Sequence, residues 1–191
     1  MSEHRVSIEV NGQPHSATVA SRRLLRDFVR DQLGLTGTKG ACEDGMCGSC
    51  SLHLDGQVVK SCLVLAVEAD GHAVTTIEGL APEGGGLHPV QQALIDNFGF
   101  QCGFCTPGFA MTMAAIIEER PELDEDAARE ALVGNICRCT GYVRIVASLL
   151  DASARSDVGG ARSPHAPQGQ ERSAAPWPGN GPGDQGGADA S

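Results

Sequence analysis

Eight cysteines are the residues of this sequence best suited to chemistry, because a thiolate is both a nucleophile and a metal ligand. They fall into two sets of four that lie far apart along the chain. The first set is Cys42, Cys47, Cys50 and Cys62, and the second set is Cys102, Cys105, Cys137 and Cys139. No cysteine is left over, so the simplest interpretation is two metal centres, each bound by four thiolates.

The first set reads C-x4-C-x2-C, and eleven residues separate its third cysteine from its fourth. The spacing of its first three cysteines is that of plant-type ferredoxins, which hold a 2Fe-2S cluster. Gly40, Gly45 and Gly48 lie among these cysteines. Because glycine has no Cβ, it lets a loop turn tightly and bring its backbone N–H groups towards the sulfurs of an anionic cluster. The loop is therefore predicted to bind a 2Fe-2S cluster.

The second set has a different spacing, with a C-x2-C pair and a C-x-C pair separated by 31 residues. Zinc-binding pairs are usually both C-x2-C with a shorter gap, so the spacing disfavours a structural zinc without excluding it. Each pair precedes a predicted helix, for which Thr106 and Thr140 are candidate N-caps. The partial positive charge of a helix N-terminus favours a nearby thiolate. We therefore predict that two helix starts converge on a second metal centre.

The net charge and the use of cysteine limit which classes of partner the chain is expected to bind and in which cell compartment it is expected to occur. The formal net charge is -10, so binding to nucleic acid or to anionic lipid is not expected. The sequence shows neither a signal-peptide pattern nor an apolar run long enough to cross a membrane, and we expect a cytoplasmic protein without membrane insertion. In a reducing cytoplasm, cysteines are more often metal ligands than disulfide partners, so disulfides are the less favoured alternative.

The elements that must position the cysteines change in type along the chain. Apolar residues alternate before Asn11-Gly12, a dipeptide typical of a hairpin turn. One helix and further short strands are predicted up to Ile77. Beyond a Gly- and Pro-rich stretch at 81–86, the periodicity predicts four short helices that end near Asp151. Pro89 is a candidate start of the first of these helices, and Asp124 is a candidate N-cap of the third.

This change divides the chain into two predicted domains and a tail. Residues 1–83 are expected to form a ferredoxin-like domain that carries the first cysteine set. Residues 84–151 are expected to form a helical domain that carries the second set. Residues 152–191 are mostly Gly, Ala, Ser and Pro, and this composition predicts a disordered tail.

Three stretches around the cysteines, residues 37–50, 101–108 and 134–142, carry a resemblance to a known family, to which residues 87–92 add. On these stretches the chain resembles the iron-sulfur subunits of the xanthine oxidase family of molybdenum hydroxylases. The resemblance implies an α+β fold, in which a β-grasp ferredoxin-like domain is followed by a four-helix bundle domain. It also implies one 2Fe-2S cluster in each domain. Ala41 departs from the family pattern, in which Gly is common before the first cysteine.

The same resemblance implies partner chains and a role for two further contacts. In such enzymes a large subunit holds a molybdopterin cofactor, a medium subunit holds FAD, and the small subunit relays electrons between them. A heterotrimer or a dimer of heterotrimers is expected. By resemblance, Gln101 contacts the pterin, and Cys139 approaches it while binding iron. An ordinary surface amide is the alternative interpretation of Gln101.

The chain is thus expected to be the electron-transfer subunit of an oxidoreductase, without substrate turnover of its own and without a catalytic residue. Two alternatives stay open, a free-standing two-cluster ferredoxin and a zinc-stabilised interaction module. Xanthine, an aldehyde, carbon monoxide and an N-heterocycle all remain candidate substrates of the complete enzyme, because specificity is expected to lie in the large subunit.

Overall fold

A computed structural model of the chain describes residues 2–82, 84–120 and 122–156. Its first half is a five-stranded sheet in the order β2-β1-β5-β3-β4. The strands are β1 (Glu3–Val10), β2 (Gln13–Ala20), β3 (Ser51–Leu54), β4 (Gln57–Lys60) and β5 (Ala73–Thr75). β1 and β5 pair in parallel at the centre, and the antiparallel hairpins β1–β2 and β3–β4 lie on either side. This mixed sheet confirms the predicted ferredoxin-like fold.

The first hairpin forms as its sequence pattern predicts. Val6, Ile8 and Val10 of β1 are buried, and the turn residues Asn11 and Gly12 both have positive φ values, 52° and 74°. Two positive φ values are what a two-residue turn needs to match the right-handed twist of the flanking strands. The hairpin thus directs one apolar face of β1 into the core.

One short helix covers the inner face of the sheet. α1 (Leu25–Asp27) continues as a single π-helical turn over Phe28–Gln32. Leu25, Phe28 and Val29 are fully buried against the sheet. The predicted helix is therefore present, although its second turn is wider than an α-helix.

The second half contains the four predicted helices, which confirms the bundle. They are α2 (Pro89–Asp96), α3 (Thr106–Glu119), α4 (Glu125–Ala131) and α5 (Val143–Ser156). α3 is the central helix, and its Phe109, Met111 and Met113 are almost fully buried. The side chain of Asp124 accepts a hydrogen bond from the Ala127 N–H at 2.8 Å, which is the N-cap that the sequence predicts for α4.

α5 runs past Asp151, where the helix was predicted to end. Ala152 is fully buried in the helical core. Arg155 forms salt bridges with Asp96 at 2.8 Å and with Asp151 at 2.7 Å. These contacts extend the helix by stabilising its last turn. The predicted disorder of the tail beyond Ser156 concerns residues outside those that the structure describes.

Two hydrophobic cores lie on either side of the predicted domain boundary at 83/84. The first core packs the sheet against α1, and the second packs the four helices α2, α3, α4 and α5 together. Leu80 precedes the boundary but packs in the helical core, so the division at 83/84 stays a prediction. Among the described residues, no helix is long and apolar enough to span a membrane.

Candidate metal centres

The first cysteine set lies at one end of the β3–β4 hairpin. Cys42 and Cys47 belong to an irregular loop, residues 36–50, which we call the first cysteine loop. Cys50 and Cys62 are both buried. Cys50 directly precedes β3 and Cys62 lies two residues after the end of β4, in a hairpin whose register pairs Ser51 with Lys60. Antiparallel pairing therefore brings the third and fourth cysteines together, although eleven residues separate them in sequence.

The thiols of the first set form two pairs rather than one group of four. The Cys47 N–H donates a hydrogen bond to Cys42 Sγ at 3.3 Å. Burial raises the pKa of Cys62, and the hydrogen bond with the Cys50 thiol raises it further, to about 11. Burial also acts to raise the pKa of Cys47, but backbone hydrogen bonds from Ser49 and Cys42 lower it to about 7. Metal binding between the pairs would replace these protons, because a metal takes cysteine as the thiolate.

The second set brings together the loops that precede α3 and α5. Cys102 Sγ lies 3.5 Å from Cys139 Sγ, and both side chains are exposed. Cys105 and Cys137 form the other pair through a hydrogen bond between their thiols. Two helix starts therefore meet, as the sequence predicts.

The predicted N-caps are not found at these two helices. Thr106 is the first residue of α3, and the N-cap position is occupied by Cys105 without a side-chain hydrogen bond. Thr140 lies three residues before α5, where its hydroxyl accepts from the Tyr142 N–H at 3.2 Å and donates to Cys137 Sγ at 3.1 Å. Each threonine is thus displaced from the cap position by the irregular cysteine loop.

Burial is the main influence on the pKa of Cys105. Burial raises the pKa of Cys105, and the neighbouring Cys137 thiol raises it further, to about 12. Burial acts in the same direction on Cys137, but the Thr140 hydroxyl lowers its pKa. A bound metal would hold both side chains as thiolates, and the contribution of the α3 N-terminus stays a prediction.

Pairs of thiols suit a two-iron cluster, in which each iron takes two protein sulfurs. A single tetrahedral zinc needs four ligands around one point. Within the part of the chain that the structure describes, no group of three or more Cys, His, Asp or Glu side chains converges on one ion position. A separation of 3.5 Å between Cys102 Sγ and Cys139 Sγ also exceeds the roughly 2.05 Å of a disulfide. The thiol pairs of both sets therefore fit a 2Fe-2S cluster, and all eight cysteines are free of disulfide bonds.

The two centres are joined by direct contacts between the halves. The Ile136 N–H donates a hydrogen bond to the Cys47 carbonyl oxygen at 2.9 Å. Asn135 Nδ2 donates to the Gly48 carbonyl oxygen at 3.3 Å, and Lys60 Nζ donates to the Gly134 carbonyl oxygen. Sequence reasoning did not single out Asn135, although its place two residues before Cys137 in the 134–142 stretch was a signal.

Gln101 is exposed and directly precedes the exposed Cys102. Exposed aromatic side chains lie close to this position in sequence, with Phe98, Phe100 and Phe104 at 70%, 40% and 47% exposure. Phe100 also lines an apolar groove of about 340 Å³ between α2 and α3. The predicted pterin contacts of Gln101 and Cys139 stay predictions, and both residues lie on the accessible side of the second centre.

Comparison with protein families assigns each half to a cluster-binding domain. A model of a 2Fe-2S iron-sulfur cluster binding domain matches residues 8–77. A model of a [2Fe-2S] binding domain matches residues 76–150. Each match contains one complete set of four cysteines, so the chain has two [2Fe-2S]-binding domains.

Curated relatives and solved structures extend the similarity to whole chains. The chain is 50% identical over 153 residues to the 6-hydroxypseudooxynicotine dehydrogenase complex subunit beta of Paenarthrobacter nicotinovorans, covering 80% of this chain and 95% of that protein. It is 45% identical over 161 residues to the caffeine dehydrogenase subunit gamma of Pseudomonas sp. strain CBB1, covering 83% and 96%. A chain of quinoline 2-oxidoreductase from Pseudomonas putida 86 superposes with a TM-score of 0.77 at 42% identity, covering 81% of this chain and 95% of that one.

Proposed function

Since the chain belongs to the iron-sulfur small subunits of the xanthine oxidase family of molybdenum hydroxylases, we propose that it relays electrons from a molybdopterin centre towards FAD, both held by partner chains. The observation that carries this proposal is the pairing of eight thiols into two four-sulfur sets that are joined by a backbone hydrogen bond. The proposed ligands of the first cluster are Cys42, Cys47, Cys50 and Cys62, and those of the second are Cys102, Cys105, Cys137 and Cys139. When bound, each cluster accepts and releases electrons.

The two centres differ in exposure, and this difference supports a direction for the relay. Cys50 and Cys62 are buried, whereas Cys102 and Cys139 are exposed. An exposed ligand pair can approach a cofactor held by another chain. We therefore propose that the molybdopterin subunit docks beside Cys139 and Gln101, and that the FAD subunit receives electrons from the first cluster.

Exposed apolar side chains support a fixed subunit over a free-standing ferredoxin. One group lies close in sequence to the second centre and includes the three exposed phenylalanines and the groove between α2 and α3. Beside the first centre, Met46 and Leu63 are 66% and 62% exposed. Several large apolar side chains exposed near one centre favour a site of protein association. Two such surfaces, one at each centre, are what a relay between two protein partners requires.

The substrate of the complete enzyme is proposed to be chosen by the large subunit. The relatives named above belong to enzymes named for different compounds, while their small subunits share up to half of their residues with this chain. We expect the chain alone to turn over no substrate. Eight free thiols fit a reducing compartment, so the cytoplasm is the proposed location.

The first experiment combines cluster analysis with isolation of the complex. The chain, purified without oxygen, is expected to contain equal amounts of iron and sulfide and to give two distinct S = 1/2 EPR signals after reduction by dithionite. Co-expression with a molybdopterin-binding chain and an FAD-binding chain is expected to yield one stable complex. A colourless, zinc-containing chain would contradict electron transfer, and a two-cluster chain that joins neither partner would favour a free ferredoxin.

A further inference from the structure

We propose that Asn135 is a positioning residue, which holds the two cluster-binding halves in register and thereby sets the rate of electron exchange between them. The inference rests on the proposed function, because it requires both 2Fe-2S clusters to be bound. Asn135 is not a proposed cluster ligand, and only 3% of it is exposed.

The amide of Asn135 reaches from the helical half into the first cysteine loop. Its Nδ2 donates to the Gly48 carbonyl oxygen at 3.3 Å, while its backbone N–H donates to the Leu132 carbonyl oxygen at 2.9 Å. A Cβ added at Gly48 would lie 2.5 Å from Asn135 Nδ2. The Asn135 amide therefore occupies the space that a side chain at position 48 would fill. The amide can hold this position only because residue 48 is a glycine.

The contact lies beside the backbone hydrogen bond that joins the two centres. Residue 136 follows Asn135, and its N–H donates to the Cys47 carbonyl oxygen at 2.9 Å. On the other side, the Gly134 carbonyl oxygen accepts from Lys60 Nζ, which belongs to the first half. Three consecutive residues, 134–136, thus bind the ferredoxin-like half. We call them the junction.

Stability alone does not account for an amide at this position. The Oδ1 atom of Asn135 is buried, and the described residues offer it no hydrogen-bond partner. A buried acceptor without a partner is unfavourable, and an apolar side chain would avoid it. The bond to Gly48 is the hydrogen bond that the described residues give this side chain, and its proposed role is to fix the distance between the two centres.

The step across the junction is the transfer of one electron from a reduced cluster in one half to an oxidised cluster in the other. No covalent bond forms or breaks, and no proton moves. Such a step depends steeply on separation, so the hydrogen bonds around the metal ligands control it by fixing their positions. Among the described contacts, loss of the Asn135 amide leaves the junction with the backbone hydrogen bond of residue 136 and the hydrogen bond from the half-buried Lys60.

The test compares Asn135→Ala with Asn97→Ala in the full chain loaded with both clusters. Asn97 is a matched control, because its amide bonds to the Ala93 carbonyl and to Asp151, away from the junction. Three readouts are taken: the electron-exchange rate after flash photoreduction, the spin–spin splitting of the EPR signals in the fully reduced chain, and deuterium uptake by the peptide that contains Ile136.

We expect N135A to keep its iron content and the g values of both clusters, while the exchange rate falls about tenfold. The spin–spin splitting should shrink and deuterium uptake at the junction should rise, whereas N97A changes none of the three. A wild-type rate and splitting in N135A would overturn the proposal.

Incomplete cluster loading has a different meaning in the variant and in the wild-type chain. If N135A does not load both clusters, Asn135→Leu replaces it, because leucine has a similar branched shape, adds no charge and cannot donate the hydrogen bond to Gly48. The same three readouts then apply, and an unchanged N135L overturns the proposal. Failure of the wild-type chain to bind two 2Fe-2S clusters would instead overturn the proposed function, so the two failures are distinguishable.

Discussion

The backbone N–H of Ile136 donates a 2.9 Å hydrogen bond to the carbonyl oxygen of Cys47. Ile136 directly precedes Cys137, a proposed ligand of the second cluster, and Cys47 is a proposed ligand of the first. The backbones of these two ligands are therefore connected through one hydrogen bond and one intervening residue. The two loops cannot move apart without breaking this bond. The relative position of the two centres is therefore set by the way in which the halves fold together.

Single cysteine replacements should remove one cluster at a time. Cys47→Ser is expected to abolish the first cluster and spare the second, and Cys105→Ser is expected to do the reverse, because each set has its own four ligands. Either variant should lose about half of the iron and one of the two EPR signals. Retention of both signals in either variant would contradict the grouping of ligands.

Replacement of Gly108 should disturb the contact between the halves. A Cβ at Gly108 would overlap the Gly48 carbonyl oxygen, and the next nearest atom is Ser49 Cα at 2.9 Å. Because both neighbours are backbone atoms, Gly108→Ala is expected to lower the free energy of unfolding by roughly 1–3 kcal/mol, the usual cost of overpacking. Urea unfolding of the loaded chain measures this change.

Gly134→Ala is the matched control for Gly108→Ala. A Cβ at Gly134 would meet the Lys60 Nζ atom alone, at 3.4 Å, and a lysine side chain can move aside. The urea midpoint of this variant should stay close to that of the wild type. Equal midpoints for both variants would show that the packing of α3 against the first cysteine loop contributes little.

Tyr142 should protect the second cluster through its hydroxyl group. The Tyr142 hydroxyl accepts a hydrogen bond from the Cys137 N–H at 2.9 Å, and the ring packs edge-on against Phe109. Tyr142→Phe keeps the ring and leaves that N–H without its acceptor, at a cost of about 1–3 kcal/mol. Iron loss from the second cluster to a chelator should therefore quicken, while loss from the first cluster should keep its wild-type rate.

Local signals were enough to predict most of the elements. Asn11-Gly12 predicts the hairpin, Pro89 and Asp124 predict two helix starts, and cysteine spacing predicts two separate sets of four. These signals work because turn geometry and helix capping depend on a few adjacent residues. The end of α5 was mispredicted, since Ala152 belongs to a core that local periodicity does not show.

Contacts across the two halves could not be predicted from the sequence. Ser51, Leu52 and His53 of β3 are all buried, because α1 and its neighbours cover one face of the sheet and α3 covers the other. A strand with one solvent face would leave alternate residues exposed, so the burial of His53 does not follow from its place in β3. Its true position depends on how α3 docks, and no short-range pattern reports that.

His53 should make the contact between the halves sensitive to acid. It is 2% exposed, and its Nε2 lies 2.8 Å from the Met111 carbonyl oxygen in α3, so the neutral ring donates this hydrogen bond. Burial lowers the pKa of His53 below 6.5, although the Met111 carbonyl and the charge of Glu118 act to raise it. Burial likewise lowers the pKa of the nearby His88. The folded chain therefore resists protonation of both rings.

The sign of the pH effect follows from these two lowered pKa values. Below pH 6.5, the ordinary value for histidine, the unfolded chain binds protons that the folded chain does not, so the free energy of unfolding falls as the pH decreases. The free energy of unfolding changes by at most about 1.4 kcal/mol per pH unit for each histidine. Above about pH 7.5 this contribution is complete and constant, since both states then hold neutral rings.

Urea unfolding of the loaded chain at pH 7.5, 6.5 and 5.5 measures this effect, with His53→Gln as the comparison. The variant keeps a side-chain N–H donor near Met111 and both proposed clusters, but it removes one titrating ring. Its urea midpoint should fall less steeply with acid than that of the wild type, and the remaining slope should come from His88 and from groups that both chains share. Parallel slopes in the two chains would show that the buried His53 ring does not control the acid sensitivity.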